Sequence, residues 1–115
     1  MDKQLDLLQG TLDMLILQTL LLGPIHGRAI ARRIQQTTDD VLQIEDGALY
    51  PALHRMEYRG LIDADWDLTE NKRRAKYYRL TTKGRQQLRE RVSSWDRYST
   101  AVSKVIHATV QPSVS

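Results

Sequence analysis

One segment of the chain, residues 45–60, combines two helical faces of opposite character. Its sequence is EDGALYPALHRMEYRG, in which Leu49, Leu53 and Met56 recur at spacings of four and three residues, and this predicts a helix packed on a core. The other face has no carboxylate and carries Gly47, Pro51, His54 and Tyr58, flanked by Tyr50 and Arg55. Such a helix can insert its polar face into a groove of another molecule. The rest of the chain then has to form the core on which its apolar face packs.

The composition limits what that body can be. With 115 residues, 41% of them hydrophobic, the chain is long enough for one domain with an appendage and a modest core. It has no cysteine, which excludes a disulfide framework, a thiolate nucleophile and a cysteine-based zinc site. The N-terminus does not resemble a secretory signal, and no apolar run could span a bilayer. We therefore expect a cytoplasmic protein that has no membrane partner.

The pattern of elements predicts a mainly α fold with a small β-hairpin. The apolar residues 11–22 and the amphipathic residues 27–37 are typical of two helices that precede the helix of residues 45–60. Residues 41–44 are β-prone, and two alternating segments, residues 61–66 and 75–80, predict a hairpin. Three helices followed by a hairpin is the order of a winged helix-turn-helix, which we assign to residues 1–80.

The charge of the chain is concentrated in one block. Residues 72–91 contain nine basic residues against one carboxylate, whereas the net charge of the whole chain is only +3. A local basic block of this kind is typical of a surface that binds a polyanion, although a solvated helix face gives the same pattern. In the winged-helix arrangement the third helix enters the major groove and the hairpin loop lies along the DNA backbone.

These roles assign the residues of a DNA-binding surface. Bases are read by the third helix, and phosphates supply most of the affinity. The predicted contacts of that helix with the major groove and its rims are Gly47, Ala48, Tyr50, Pro51, His54 and Arg55. The predicted contacts of the hairpin loop with phosphates or the minor groove are Lys72, Arg73, Arg74 and Lys76. For Tyr50 a half-buried core position is an equal alternative, and for Trp66 we favour hairpin packing over base stacking.

A last helix from Thr81 or Thr82 to about Thr109 has the seam of a coiled coil. We assign residues 81–110 to dimerisation and residues 111–115 to a tail, because few surfaces within the chain are left to cover the seam. The predicted dimer interface, which includes leucines near the N-terminus, is Leu5, Leu8, Leu88, Val92, Trp95, Ser99, Val102 and Ile106. Trp95 is either part of that interface or, in two copies, the wall of a planar-ligand site.

Four segments together resemble the PadR family of bacterial transcriptional regulators. They are LQGTLD at residues 8–13, GPIHG at 23–27, GALYPALHRME at 47–57 and RRAKYYRLT at 73–81, and the similarity extends over about residues 7–106. The resemblance implies a homodimeric repressor on an inverted-repeat operator in double-stranded DNA, with the last helix as dimer element. It also makes a small planar effector a candidate ligand. Arg28 departs from the tyrosine that relatives often have there, and adds a candidate phosphate contact.

Two other function classes compete with DNA binding. The first is a winged-helix module that binds proteins and no DNA. The second is an enzyme, which the sequence argues against because it has no nucleophile with a base and no glycine-rich phosphate loop after a strand. The three histidines, His26, His54 and His107, are far apart, so we expect no metal site and no cofactor. No pattern in the sequence identifies the operator, the regulated genes or the effector.

Overall fold

The computed structural model describes residues 10–109. A helix and a short 3-10 turn come first, and a long helix comes last. The elements are α1 (Thr11–Thr19) with its 3-10 extension (Leu20–Leu22), β1 (Ile25–His26), α2 (Gly27–Thr37), α3 (Asp46–Tyr58), β2 (Ile62–Leu68), β3 (Arg74–Leu80) and α4 (Thr82–Ile106). This is a winged helix with a C-terminal helix, as the sequence predicts. Leu5, Leu8 and the tail at residues 111–115 lie outside the described residues.

The core forms where the first three helices meet the sheet. The buried stripe of α3 consists of Leu49, Leu53 and Met56, as predicted, together with Ala52. It packs with Ile16 of α1 in a single cluster that also includes buried residues of α2 and β3. Because these positions recur at helical spacing, burying them turns the opposite side of α3 toward solvent.

The sheet has a third strand in an unexpected place. Residues 41–44 do not form a strand, which corrects that prediction; the third strand is β1, which pairs with Tyr78 and Tyr77 of β3. Asp39 and Asp40 both have positive φ, 51° and 67°, and end α2 in a tight reversal. The apolar side chains after this reversal pack on the core from a loop, so their hydrophobicity does not indicate a strand.

The base of the hairpin is fastened to the start of α4. Gly60 leaves α3 with φ +76°, and its carbonyl accepts a hydrogen bond of 2.7 Å from the hydroxyl of Thr81. The Thr81 amide donates to the Leu61 carbonyl at 3.2 Å, while the Thr81 hydroxyl also accepts from the Gly84 amide as the cap of α4. Gly84 lies so close to the Leu61 carbonyl that a Cβ could not fit between them. Three backbone segments therefore meet at one junction.

The first half of helix α4 packs on the core of the domain, and its second half is exposed to solvent. Leu88 is 3% exposed and lies in the core, so it is not available at a surface and its assignment to the dimer interface is corrected. Val92 and Trp95 are partly buried against the same core. Beyond them the helix leaves the body, and Ile106 near its end is 69% exposed. The part of the predicted seam that remains uncovered therefore lies in the second half of α4.

Candidate nucleic-acid interface

The outer face of α3 is open along its length. Gly47, Ala48, Pro51, His54 and Arg55 are all exposed, because the buried stripe occupies the other side of the helix. A Cβ on Gly47 would meet nothing within 4 Å, so the first turn of α3 is free to approach another molecule closely. The five predicted contact residues of this face thus lie on one accessible surface.

Tyr50 combines the two roles that the sequence left open. Its ring lies beside Gly27 at the start of α2, where an added Cβ would come within 3.1 Å of Tyr50 Cε1. The side chain is nevertheless 37% exposed. The glycine therefore permits close packing of α2 on α3, and one edge of the tyrosine remains accessible beside the outer face of α3.

Arg55 has a partner within the protein. Its guanidinium lies 3.4 Å from Asp13 of α1, whose other carboxylate oxygen lies 3.8 Å from Arg91 of α4. The Asp13 side chain is largely buried, whereas that of Arg55 is half exposed. One carboxylate thus connects α1, α3 and α4. Arg55 lies at the rim of the outer face of α3, where its contact with Asp13 restrains the side chain.

The tip of the wing (residues 62–80) is a tight turn closed by Thr69. The Lys72 amide donates to the Thr69 carbonyl, the Thr69 amide donates to the Arg73 carbonyl, both at 2.8 Å, and the Arg73 amide donates to the Thr69 hydroxyl at 3.1 Å. Lys72 has φ +58°, in the left-handed region where this type of hairpin loop usually has glycine. The turn therefore holds a lysine at a position that disfavours it.

Within residues 10–109, some cations of the wing have an ion-pair partner and others have none. Lys72, Arg73 and Arg74 are exposed, and the Arg74 guanidinium lies 5.1 Å from the centre of the Trp66 ring. Lys76 differs, because its ammonium donates to Glu57 of α3 at 2.9 Å. The hydrogen bond to Glu57 raises the pKa of Lys76, with burial opposing it. Lys76 therefore holds β3 on α3, and we no longer count it among the free cations of the wing.

The start of α2 adds a further basic residue. The Nδ1 atom of His26 caps this helix by accepting from the Ala29 amide at 3.3 Å, and its ring meets that of Tyr77 edge-on with centroids 5.6 Å apart. Arg28 follows it and lies 3.4 Å from Asp46 at the start of α3, with both side chains mostly exposed. An exposed pair of this kind is weak, so Arg28 can exchange its partner for a phosphate.

The predicted dimer residues that remain accessible lie along α4. Ser99 is half-buried, and Val102 and Ile106 are exposed. Trp95 makes a tilted ring contact with Tyr98, with centroids 6.4 Å apart, beside an open cavity between α1 and α4. Trp95 lines this cavity, but nothing in the structure distinguishes a planar-ligand site from a dimer contact, so both roles of Trp95 stay predictions.

Among residues 10–109, no group of three or more histidine, aspartate or glutamate side chains is placed to hold a metal ion. No helix in the same range is both long and apolar enough to cross a membrane.

Sequence reasoning missed two residues that matter to this surface, Asp13 and Arg32, and also the contact between Trp66 and Arg74. Asp13 joins three helices, and Trp66 lies under Arg74. Arg32 of α2 faces the wing across a cleft that both elements line. The partners of Asp13 and Trp66 come from other elements, so no local spacing indicates them. Arg32 could have been found, because it lies one turn after Arg28 on α2.

The chain is similar in sequence and in structure to known proteins. The family model described as the transcriptional regulator PadR-like family matches residues 16–90. A PadR family regulator from Eggerthella lenta is 35% identical, with a TM-score of 0.72 over 88% of this chain and 86% of its own. A transcriptional regulator from Clostridium thermocellum is 30% identical, with a TM-score of 0.76 over 84% and 93%. An uncharacterised protein of Lysinibacillus sphaericus is 32% identical over 78% of this chain and 83% of its own.

Proposed function

The chain belongs to the PadR-like family of transcriptional regulators, and from this membership we propose that it represses transcription by binding an inverted-repeat operator as a homodimer. Family membership implies regulation through DNA, and the finer statements are ours. The observation that carries them is the shared exposure of the outer face of α3 and the free cations of the wing. One surface reads base edges, and the other binds phosphates.

The outer face of α3 supplies selectivity in this proposal. Gly47 and Ala48 permit close approach, the ring of Pro51 can touch a thymine methyl, and His54 lies one turn farther along the helix. Arg55 reaches a phosphate or a guanine at the rim with the guanidinium N–H groups that the contact with Asp13 leaves over. Phosphate contacts by Lys72, Arg73 and Arg74 fix the register of the helix in the groove.

The exposed half of α4 supports the homodimer. Val102, Val105 and Ile106 are apolar and exposed at its end, and a second copy is the partner that an isolated seam of this kind fits. Two copies related by a twofold axis present two α3 helices, which matches an inverted repeat. A dimer seated on a promoter excludes RNA polymerase, which is the simplest route to repression.

The test is an electrophoretic shift with a palindromic promoter fragment and an unrelated fragment of equal length. We expect a specific shift whose affinity falls about a thousandfold between roughly 50 and 200 mM salt, since the three free wing cations of two protomers neutralise about six phosphates. The double variant Arg73→Ala/Arg74→Ala should bind all fragments more weakly and with a shallower salt dependence. A change of base preference in that variant assigns these arginines to base reading instead.

The same assay tests the alternative of a protein-interaction module. Purified dimer that shifts no promoter fragment at low salt contradicts DNA binding and favours a protein partner on α3. A reporter gene under the shifted promoter then tests repression, because its transcription should fall when the regulator is present and recover with the double arginine variant.

A further inference from the structure

A cleft lies between the underside of the wing and the start of α2. The pairing of β2 with β3 sets Trp66 opposite Lys76 and Leu68 opposite Arg74, on the same face of the hairpin as the buried residues Ile62 and Leu80. Toward the tip this face no longer covers core, so its side chains overhang open space. The facing wall of the cleft is made by Arg28, Arg32 and Tyr50.

The cleft carries more positive charge than the protein itself neutralises. Two of its cations have partners, because Lys76 is bound to Glu57 and Arg28 to Asp46. Arg32, on α2, has no ion pair among residues 10–109, and neither has Arg73 on the wing. Among the described residues, Glu70 at the tip is the one carboxylate that lines the cleft. Cations facing each other across open space repel unless an anion lies between them.

Trp66 explains how the wing side of the cleft is held in shape. Its side chain is 59% exposed, which is unusual for so large an apolar group, and the Arg74 guanidinium lies over its ring at 5.1 Å. An arginine that stacks on an aromatic face keeps its N–H groups free in the plane of the guanidinium. The contact therefore restrains Arg74 without using its hydrogen-bond donors.

We propose that one sugar–phosphate strand of double-stranded DNA enters this cleft, bound by Arg32 from the side of α2 and by Arg74, positioned by Trp66, from the side of the wing. The inference rests on the proposed DNA binding and adds two residues to it. Arg32 is a phosphate contact, and Trp66 is a positioning residue that acts through Arg74. The wing then grips the backbone on its inner face as well as at its tip.

The first test compares neighbouring arginines of α2. Arg32 lines the cleft, whereas Arg33 is equally charged and exposed but does not. Arg32→Ala should weaken operator binding about tenfold and reduce the salt slope of a dimer by about two, because each protomer loses one phosphate contact. Arg33→Ala should change affinity less than about twofold. Equal effects of the two variants contradict the cleft and indicate a general charge effect.

The second test is a double-mutant cycle of Trp66→Ala and Arg74→Ala, with Trp66→Phe as the conservative variant. If Trp66 acts through Arg74, its removal weakens binding and flattens the salt slope only while Arg74 is present, and phenylalanine restores part of both. An equal loss in the Arg74→Ala background means that Trp66 contacts the nucleic acid itself, which overturns the positioning role. A preference for single-stranded over duplex DNA overturns it as well.

Thermal unfolding confirms that each variant is folded before its affinity is interpreted. The failure of the cleft and the failure of the proposed function give different results. If the wild-type protein binds no operator, the function is wrong. If the wild type binds while Arg32→Ala matches Arg33→Ala and Trp66→Ala matches the wild type, the cleft alone is wrong.

Discussion

Lys76 of β3 donates a hydrogen bond of 2.9 Å to Glu57 of α3, and this pair holds the wing against the helix that we propose to read DNA. The two side chains are 27% and 35% exposed, so the pair is neither fully solvated nor fully buried. It uses a wing cation that the sequence alone assigned to DNA, and its ammonium also lies 5.5 Å from the centre of the Tyr78 ring. The side chain of Lys76 therefore affects both the position of the wing on α3 and the positive charge that the wing presents.

Glu57→Gln should release Lys76. We expect a loss of about 0.5–1 kcal/mol in the free energy of unfolding, because a half-exposed ion pair contributes little. Binding to non-specific DNA should become tighter and more salt-dependent, since Lys76 lines the cleft and becomes free to meet a phosphate. The matched control is Glu90→Gln, which removes the same charge from an exposed carboxylate on α4. Titrations of both variants at several salt concentrations check this; equal slopes contradict the release of Lys76.

The pKa of Lys76 also gives a dependence on pH. That pKa is raised above 10.5, chiefly by the hydrogen bond to Glu57, so the pair stabilises the folded state wherever the unfolded lysine is charged. The contribution is fully present below about pH 10 and is lost as the pH rises through the raised value. Urea unfolding of the wild type and Glu57→Gln should give the same difference at about pH 7 and about pH 9. A difference that shrinks within this interval contradicts the assignment.

Gly84→Ala should be strongly destabilising. The added methyl group would overlap the carbonyl of Leu61 at the junction of hairpin and α4, and backbone there cannot yield cheaply. We expect a loss of about 3 kcal/mol or more in the free energy of unfolding, at the upper end for overpacking. The control is Gly47→Ala, also near the start of a helix but facing open space, which should be neutral or stabilising by up to about 1 kcal/mol. Urea unfolding at one protein concentration compares the two.

Asp13→Ala should loosen the contacts of α1 with α3 and α4. It removes the carboxylate shared by Arg55 and Arg91. Arg91, whose Nε is buried and has no hydrogen-bond partner among residues 10–109, is left with less compensation. We expect a loss of about 1–3 kcal/mol, below the value for a fully buried pair because both arginines are partly exposed. Asp96→Ala, at an exposed position of α4, is the control and should cost less than about 0.5 kcal/mol. Thermal unfolding of both variants measures the difference.

Lys72 should show a conflict between stability and DNA binding. Lys72→Gly and Lys72→Gln remove the same charge, but only glycine relieves the left-handed conformation, which costs a side chain about 1 kcal/mol. Both variants should lose similar affinity for DNA, while only the glycine variant should gain stability in thermal unfolding. If the glutamine variant is as stable as the glycine variant, the turn is not strained.

The second half of α4 should hold the dimer together. Val92 packs on the core of its own protomer, so Val102 and Ile106 are the cleaner positions for a charge. Val102→Asp/Ile106→Asp should sediment as a monomer and lose specific operator binding. The control Thr100→Asp/Lys104→Gln changes the net charge by the same amount on the opposite side of the helix and should stay dimeric. A test variant that remains dimeric places the interface on another surface.

What the sequence predicted correctly depends on local periodicity. The stripe of Leu49, Leu53 and Met56 and the alternation of β2 and β3 lie within short segments, so they indicated α3 and the wing without tertiary information. Two residues are too few for any period, which is why β1 escaped detection. Residues 41–44 have the composition of a strand, but they form a loop. Their apolar side chains cover the core from that loop, so no strand is needed to bury them.

The parts of the site that could not be predicted are contacts between distant segments. Asp13 and Arg55 are 42 positions apart, and Glu57 and Lys76 are 19 apart. Nothing in the spacing of these residues distinguishes a cation that is tied down from one that is free. Leu88 illustrates the same limit on α4, since the heptad pattern is equally compatible with packing on its own core and on a second copy.

The junction at Gly60, Thr81 and Gly84 limits how far the wing can move relative to α4. Because the hydrogen bonds of Thr81 and the close approach of Gly84 to the Leu61 carbonyl anchor the base of the wing to α4, we expect the wing to be stiff at its base and to bend more easily at its tip. In the proposed complex, a duplex whose groove is slightly too narrow or too wide is therefore not expected to displace the wing. We expect the turn closed by Thr69 or the duplex itself to deform instead, so that the stiffness of the operator contributes to recognition.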